Sequence, residues 1–290
     1  MEKQIIYHSI TGKKEELLKT IGLVSKIWPW AKYFNEAYLN WEYNDNPLGR
    51  VIGYNAYCNE EIIGHYAAQP VEALINGNKE IGLLSLNTAV HSEFRGKGIF
   101  QKLAKETFNA AITNGYRFVY GVSNKNSTLP FVHSLGFNLI CPLDVKIGIG
   151  IVESWVDDHK DASPSFRRVW DNKTLSWRFN RPGNIYCRKS HGSGSILFAP
   201  TSKYGIYTQI CALRDNETLK GIKKLWRINP ISLWIGVDDT VSRAKKMFFY
   251  NLPDWFRPSP LNLIFKDLLG RDCALKKENI KISLLDFDAY

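Results

Sequence analysis

The chain has 290 residues, of which 44% are hydrophobic and 13% aromatic, which suits one large or two ordinary packed domains and excludes extensive disorder. Lysine and arginine exceed aspartate and glutamate by 38 − 28 = 10 charges, which favours anionic ligands such as nucleotides, coenzymes, nucleic acid or a membrane surface. No apolar stretch approaches the roughly 20 residues that cross a bilayer, and the first residues lack the apolar core of a secretory signal. We therefore expect a cytoplasmic protein without a membrane span.

The five cysteines are odd in number, widely spaced and free of any Cys-x-x-Cys pair. This spacing argues against a disulfide framework and against a zinc site. We expect no metal ion.

The region from 50 to 90 is predicted to be an antiparallel meander. Its apolar stretches, separated by short polar turns, lie at residues 51–58, 62–71, 73–75 and 81–90.

The turn Arg95-Gly96-Lys97-Gly98 lies between the last of these strands and a predicted helix. Glycines allow a tight turn in which successive N–H groups and the positive end of the helix face an anion. Arg95 and Lys97 add positive charge to this anion site. The alternative is a surface turn made soluble by two basic residues.

Helix and strand alternate after this turn. Apolar residues recur at helical spacing from Phe100 to Ile112, and Gly115 suits the position just after a helix end. Further elements are expected as a strand at 116–123, a short helix at 127–134 and a strand at 138–151.

A polar segment at 153–165 marks a predicted domain boundary, so we divide the chain into domains at 1–153 and 154–290. In the second domain, strands are expected at 185–189, 195–199, 205–213, 231–237 and 261–265, and helices at 217–227 and 240–250.

Two similar phrases point to an internal duplication. Trp41-Glu42-Tyr43-Asn44-Asp45-Asn46-Pro47 precedes the first meander, and Trp177-Arg178-Phe179-Asn180-Arg181-Pro182 precedes the second set of strands. The second half has no Arg-Gly-x-Gly turn, so a duplicated half has lost the anion site.

Four pieces of the first half occur in a particular order: Thr88-Ala89-Val90-His91-Ser92-Glu93-Phe94, then Arg95-Gly96-Lys97-Gly98, then residues 118–124, then residues 131–137 with Gly136-Phe137 at their end. As a set they resemble the splayed fourth strand, the pyrophosphate loop, the fifth strand and the following helix-to-strand passage of the GNAT superfamily of acyl-CoA N-acyltransferases. The two halves together resemble a tandem GNAT branch found among bacterial surface-polysaccharide and antibiotic-modifying enzymes.

The resemblance implies an α/β (α+β) fold. A mixed, central sheet, splayed between its fourth and fifth strands and flanked by helices, is followed by a second, degenerate GNAT-like half. Acetyl-CoA would be the co-substrate, with its pantetheine arm paired to strand backbone in the splay. The partner would be a small-molecule primary amine and not a nucleic acid, and the protein would be a monomer or a homodimer.

The resemblance also implies the coenzyme-binding residues. The thioester carbonyl would be polarised by an N–H near the strand end at Ala89 and Val90, and the coenzyme arm would contact Asn124 and Ser127. The pyrophosphate would lie on the backbone amides of Arg95, Gly96, Lys97, Gly98, Ile99 and Phe100.

The family's usual tyrosine acid falls here on Val132, and Phe100 takes the place of the small residue that usually closes the loop. The remaining candidates for proton transfer are Tyr120, His133 and His91. Each has a structural alternative. Tyr120 would be a core aromatic residue, His133 an exposed helix residue, and His91 a residue that shapes the loop.

Ser85 and Asn87 lie where the fourth strand would splay. They are expected to bind the acceptor or a bridging water, and the alternative is an ordinary outward strand face.

We therefore expect an N-acetyltransferase that acts on a small amine, with an amino sugar or a nucleotide-linked amino sugar in glycan biosynthesis as the best candidate. The alternative is a non-catalytic CoA- or ligand-binding pseudoenzyme. A nucleic-acid binder is a third hypothesis, and it predicts steeply salt-dependent affinity.

Overall fold

The computed structural model describes residues 4–156, 164–200, 205–214, 217–225, 230–239, 241, 248–257, 259–271 and 273–287. Within these ranges the α-helices are α1 Lys14–Ile27, α2 Glu36–Asn44, α3 Ile99–Thr113, α4 Lys125–Leu129 and α5 Asn172–Phe179. The strands are β1 Ile6–Ser9, β2 Ile52–Cys58, β3 Glu61–Ile75, β4 Asn78–Val90, β5 Phe118–Ser123, β6 Asn138–Pro142, β7 Asp144–Ile149, β8 Phe166–Arg168, β9 Cys187–His191, β10 Gly194–Pro200, β11 Tyr207–Arg214, β12 Lys223–Lys224, β13 Ile231–Asp238, β14 Phe248–Asn251, β15 Asn262–Asp267 and β16 Ile280–Ser283.

The predicted meander is confirmed, because β2, β3 and β4 pair antiparallel in chain order. The predicted helix after the glycine turn is α3, and it packs its apolar face on this meander. Ile99, Leu103 and Phe108 recur at helical spacing and share one buried cluster with Tyr66 of β3 and Val119 of β5. The expected mixed α/β architecture is thereby confirmed.

The sheet splays between β4 and β5. The two strands run parallel but pair only at Leu83–Val119 and Leu84–Tyr120. Further along β4, Leu86 pairs with Ala67 and Ala89 with His65, so that two β4 residues stand opposite one residue of β3. This β-bulge bends β4, and the edges of β4 and β5 beyond it are left apart.

The two halves exchange strands. β15, from the second half, lies between β5 and β6 of the first half and pairs antiparallel with both. In return β7, from the first half, lies between β13 and β14. One continuous sheet therefore runs through both halves.

The helices α2 and α5 meet through equivalent residues, Trp41 and Trp177, of the two similar phrases. Their rings stack at 4.8 Å between centroids. Each indole N–H donates to the other residue's backbone carbonyl oxygen, over 2.8 Å from Trp41 and 3.0 Å from Trp177.

The second half repeats the parallel pairing of the first, since β11 and β13 run parallel over three registered pairs. Here the opening beyond the pairs holds the chain's own segment 152–156. Trp155 pairs with Ala212 of β11, and the Ser154 hydroxyl donates to the Asp238 carboxylate at the end of β13, over 2.5 Å. The second opening is therefore filled.

The predictions of two helices in the second half are wrong in part. The region 217–227 holds a short 3-10 turn, Glu217–Leu219, and the strand β12, while 226–227 lie outside the described residues. The region 240–250 ends in the strand β14, with 240 and 242–247 outside the described residues. Both expectations rested on local spacing, which sheet pairing overrides.

Candidate functional site

A cavity of roughly 380 Å³ lies in the splay between β4 and β5. One wall is the parted strand edges, from Ser85 to Thr88 on β4 and from Gly121 to Ser123 on β5. The opposite wall comes from the segment between α1 and α2, and Phe287 also lines the cavity. Among the residues that the structure describes, none that lines this cavity carries a charged side chain. We call this cavity the cleft.

The aromatic wall of the cleft consists of Trp28, Trp30 and Tyr33. The Trp30 side chain is 74% exposed, an unusual fraction for a large apolar ring. The wall is held between two helices, of which α2 begins where the Asn35 side chain accepts the N–H of Tyr38. Exposed aromatic rings at the mouth of a cavity are typical of ligand contact.

The glycine turn has the backbone expected of an anion site. Gly96 and Gly98 have φ of +76° and +73°, and a Cβ at either position would meet no atom within 4 Å. No side chain caps α3, so its first-turn N–H groups have no intrahelical acceptor. The turn thus leaves open space beside free backbone donors, which fits the pyrophosphate of an acyl-CoA.

The basic residues of the turn are exposed. Arg95 donates through Nε to the carbonyl oxygen of Val90 over 3.2 Å, and the Lys97 ammonium lies 5.0 Å from the centre of the Phe94 ring. Both cations therefore flank the turn without entering the core.

The first turn of α3 is joined to the cleft by Phe100. Its ring makes an edge contact with Phe131 at 5.3 Å between centroids, and Phe131 lines the cleft. Phe100 is half-buried and also contacts Tyr66, so it packs in the core. Ile99 is buried in the same cluster.

At the strand end, Ala89 is buried and Val90 is half-buried. Asn124 and Ser127 line the cleft from the start of α4. The Asn124 Oδ1 accepts the Ser127 N–H over 3.1 Å, and the Ser127 hydroxyl accepts the Asn124 N–H over 3.0 Å. Their oxygens are therefore engaged in capping the helix, which fixes their position at the cleft.

The structure places Tyr120, His133 and His91 outside the cleft. Tyr120 is fully buried in the core, its hydroxyl donates to the backbone oxygen of Asp286, and burial raises the pKa of its phenol. His133 is exposed on the turn after α4. His91 packs the edge of its ring against Phe94. Strand alternation and helix phase could not assign these side chains, because neighbouring elements decide which face meets the cleft.

Ser85 and Asn87 do line the cleft. The Ser85 and Tyr66 hydroxyls share a hydrogen bond of 2.9 Å. The Asn87 amide donates to the Glu42 carboxylate over 2.5 Å. Glu42 lies on α2, is buried, and was not predicted as a site residue.

The residues that sequence reasoning missed are the aromatic wall, Phe287 and Glu42. A signal existed for α1, since Leu17, Thr20 and Val24 follow helical spacing and are buried. With α1 and α2 assigned, the segment between them would have appeared as an exposed tryptophan-rich loop beside the sheet. No local signal marks Glu42, because its partner Asn87 is 45 residues away.

The cleft, the splay and the open turn together form the candidate donor site. Residues 11–140 match the family model described as an acetyltransferase (GNAT) domain. No curated protein matches the sequence.

Solved structures match along most of the chain. A conserved protein of unknown function from Enterococcus faecalis, described as a probable N-acyltransferase, has a TM-score of 0.58 at 13% identity, over 91% of this chain and 73% of that one. A GCN5-related N-acetyltransferase from Anabaena variabilis has a TM-score of 0.59 at 10% identity, with the same coverage of 91% and 73%. The Saccharomyces cerevisiae N-myristoyltransferase with bound myristoyl-CoA has a TM-score of 0.59 at 10% identity, over 100% and 87%. These likenesses show the fold, and with the family match they support an acyl-CoA-dependent acyltransferase.

The residues that the structure describes contain neither a candidate membrane-spanning helix nor a candidate metal site. No helix in these ranges is both long and apolar enough to cross a membrane. No group of three or more His, Cys, Asp and Glu side chains in the same ranges is placed to hold a metal ion.

Proposed function

We propose that this protein transfers an acetyl group from acetyl-CoA to a primary amine of a small acceptor. The observation that carries the proposal is the uncharged cleft between the parted edges of β4 and β5, joined through Phe131 and Phe100 to the open glycine turn at the start of α3. This arrangement offers free strand backbone to a pantetheine arm and free amides to a pyrophosphate.

The proposed coenzyme contacts follow the chain from β4 to α4. The thioester carbonyl oxygen would accept an N–H near Ala89 and Val90, and Asn124 and Ser127 would border the arm. The Arg95 N–H already donates to the Ser92 carbonyl oxygen over 3.3 Å, so the pyrophosphate would lie on the amides of residues 96–100, beside the positive charges of Arg95 and Lys97.

In the proposed reaction the acceptor's ammonium first loses a proton to water in the cleft. The neutral amine then attacks the thioester carbonyl carbon, forming a C–N bond, and the C–S bond breaks. One of the two N–H protons of the attacking nitrogen passes to water and the other stays on the amide product, while the thiolate of CoA takes a proton from water. A thiol is a far stronger acid than an amine or an alcohol, so we propose that the thiolate of CoA leaves without a side-chain acid, which agrees with Val132 at the usual tyrosine position.

For the acceptor we propose an amino sugar in glycan biosynthesis. The rings of Trp28, Trp30 and Tyr33 suit stacking on the apolar face of a sugar. A nucleotide-linked amino sugar is the second choice, since no lysine or arginine lines the cleft to meet a diphosphate. The link to surface-polysaccharide enzymes of the tandem branch is part of this proposal.

The second candidate is a CoA- or ligand-binding protein without turnover. The specific observation in its favour is that the cleft lining, as far as residues up to Phe287 describe it, contains no His, Asp, Glu, Lys or Arg. Thiol release from acetyl-CoA in the presence of amino sugars and other primary amines separates the two. Coenzyme binding without release on any amine would favour this second candidate.

The donor site is tested by calorimetry with acetyl-CoA. Gly96→Asp places a negative charge beside the proposed pyrophosphate, so we expect the Kd to rise by roughly tenfold or more. Gly115→Asp is the matched control, because Gly115 follows the other end of α3 with φ of +83° and no atom within 4 Å of an added Cβ. We expect one acetyl-CoA per chain, since segment 152–156 fills the second opening. Equal affinity in both variants would contradict the assignment of the turn.

We further propose that the chain is a duplication divided near residue 153. The reciprocal contacts of Trp41 and Trp177 and the mutual exchange of β7 and β15 support this proposal.

We also propose a cytoplasmic location. It is supported by the five free cysteines, four of them buried, because unpaired thiols are typical of a reducing compartment.

A further inference from the structure

We propose that Glu42 is a positioning residue that fixes the amide of Asn87, so that the Asn87 Oδ1 accepts a hydrogen bond from the acceptor's amine in the cleft. The inference rests on the proposed function, because it assigns the contact made by the amine. Asn87 would be the acceptor-binding residue, and Glu42 would act only through it.

The backbone at Asn87 is shaped to bring this side chain to the cleft. Asn87 lies in the β4 bulge, where Asn87 and Thr88 stand opposite Tyr66 alone. Its φ is +49°, a left-handed conformation that asparagine tolerates better than most residues. Bulges commonly redirect a side chain beside an active site. The side chain therefore bridges the cleft and the buried face of α2.

The buried side of Asn87 meets the Glu42 carboxylate. Glu42 is 1% exposed, its Oε2 lies 2.5 Å from the Asn87 Nδ2, and its Oε1 accepts the Tyr38 hydroxyl over 2.7 Å. An ionised carboxylate only accepts hydrogen bonds. The NH₂ group of Asn87, and not its oxygen, must therefore face Glu42.

A second partner fixes the same orientation. The Asn87 Nδ2 lies 3.2 Å from the Tyr43 hydroxyl oxygen, and that hydroxyl lies 2.7 Å from the His65 Nε2. The His65 Nδ1 lies 2.6 Å from the Asn55 Oδ1, so Nδ1 carries the proton and Nε2 accepts from Tyr43. The Tyr43 oxygen is then the acceptor for Asn87.

Both Nδ2 protons of Asn87 are thus engaged away from the cleft, which leaves Oδ1 as its polar atom for a ligand. A carbonyl oxygen accepts an N–H of a neutral amine and leaves the nitrogen lone pair for the thioester carbon. Because the described lining of the cleft offers no charged side chain, this single oxygen takes a large share in orienting the amine.

The kinetic test uses Glu42→Gln in the full chain. A glutamine replaces one carboxylate oxygen by an NH₂ donor at a position where the Asn87 NH₂ and the Tyr38 hydroxyl both donate, so the Asn87 amide would turn or lose its partner. We expect kcat/KM for the amine to fall roughly 10- to 100-fold, with the KM for acetyl-CoA unchanged. Asn87→Ala should lower kcat/KM at least as far. The double variant should lower it no further than Asn87→Ala alone. Additive losses would overturn the proposal.

Glu16→Gln is the matched control for burial of a carboxylate. Glu16 is also buried and accepts the backbone N–H of Thr11 over 2.9 Å, on α1. We expect it to lower stability with kcat/KM unchanged, so a general loss of folding cannot mimic the result for Glu42→Gln.

A second measurement does not depend on turnover. The side-chain NH₂ signals of Asn87, assigned by their loss in Asn87→Asp, should shift in the NMR spectrum of Glu42→Gln and stay in place in Glu16→Gln. Unchanged Asn87 signals in Glu42→Gln would overturn the positioning role. If the wild type acetylates no amine but the signals shift, the proposed function fails and the orientation of Asn87 stands.

Discussion

His65 is fully buried on β3, between Tyr43 and Asn55. Burial lowers the pKa of its imidazole from 6.5 to about 3. Between these values the unfolded chain holds a proton that the folded chain does not, so stability is complete above the ordinary pKa and declines as the pH falls towards 3. The expected contribution of this one residue is about 1.4 kcal/mol per pH unit.

The prediction is tested with His65→Gln, whose amide can donate to Asn55 and accept from Tyr43. The free energy of unfolding, measured with urea between about pH 7 and about pH 5, should decline less steeply with falling pH in the variant. The difference between the two slopes should correspond to the one proton that His65 binds only in the unfolded chain. Equal slopes in wild type and variant would show that His65 titrates alike in the folded and unfolded chain.

At the same scale, the part of the candidate site that depends on local backbone was predictable from sequence. Gly96 and Gly98 have the positive φ that the turn requires. Tyr120 and His133 were placed by alternation and helix phase, and the packing of the last residues against β5 puts the Tyr120 hydroxyl on Asp286 instead of in the cleft. The orientation of Asn87 depends on a bulge and on a distant helix, which no local pattern encodes.

Among the elements, α2 and α5 form the most symmetrical contact between the halves. The stacked rings of Trp41 and Trp177 bury both indoles and satisfy both N–H donors. Trp177→Ala would remove a large buried ring and the indole N–H that donates to the Trp41 carbonyl oxygen. We expect the free energy of unfolding to fall by about 3–5 kcal/mol, measured by denaturant titration.

The matched control is Trp255→Ala, because the Trp255 side chain is 82% exposed. We expect it to change the free energy of unfolding by less than about 0.5 kcal/mol. The double variant of Trp41 and Trp177 should lose less than the sum of the two single losses, since the residues contact each other. Strict additivity would indicate that the two rings stabilise the halves independently.

The elements also show where sequence reasoning stops. β2, β3, β4 and α3 follow from alternation, turns and helical spacing, because each pairs or packs with its neighbour in the chain. α1 carries a clear helical pattern and α2 a weak one, and neither helix was predicted. β15 was predicted as a strand, but its place between β5 and β6 depends on a partner in the other half.

For the whole molecule, the exchange of β7 and β15 makes the candidate acyl-CoA site depend on both halves. β5 forms one edge of the cleft and pairs along its whole length with β15. The rings of Phe118 and Phe265 stack across this pairing at 5.6 Å between centroids, and Leu263 and Ile264 are buried. A first half without β15 would expose β5 and β6 as unpaired, apolar strands.

We therefore expect a fragment of residues 1–153 to aggregate and to bind no acetyl-CoA. Co-expression with residues 154–290 should restore a soluble complex of one copy of each fragment, because the exchanged strands provide the contacts that join them. Size-exclusion chromatography and calorimetry with acetyl-CoA measure both outcomes. A fragment 1–153 that is monomeric and binds acetyl-CoA as tightly as the full chain would contradict this, and would mean that β5 and β6 close the sheet without β15. Because the cleft also includes Phe287, restored acetyltransfer would require the second fragment to supply its C-terminal segment as well as β15.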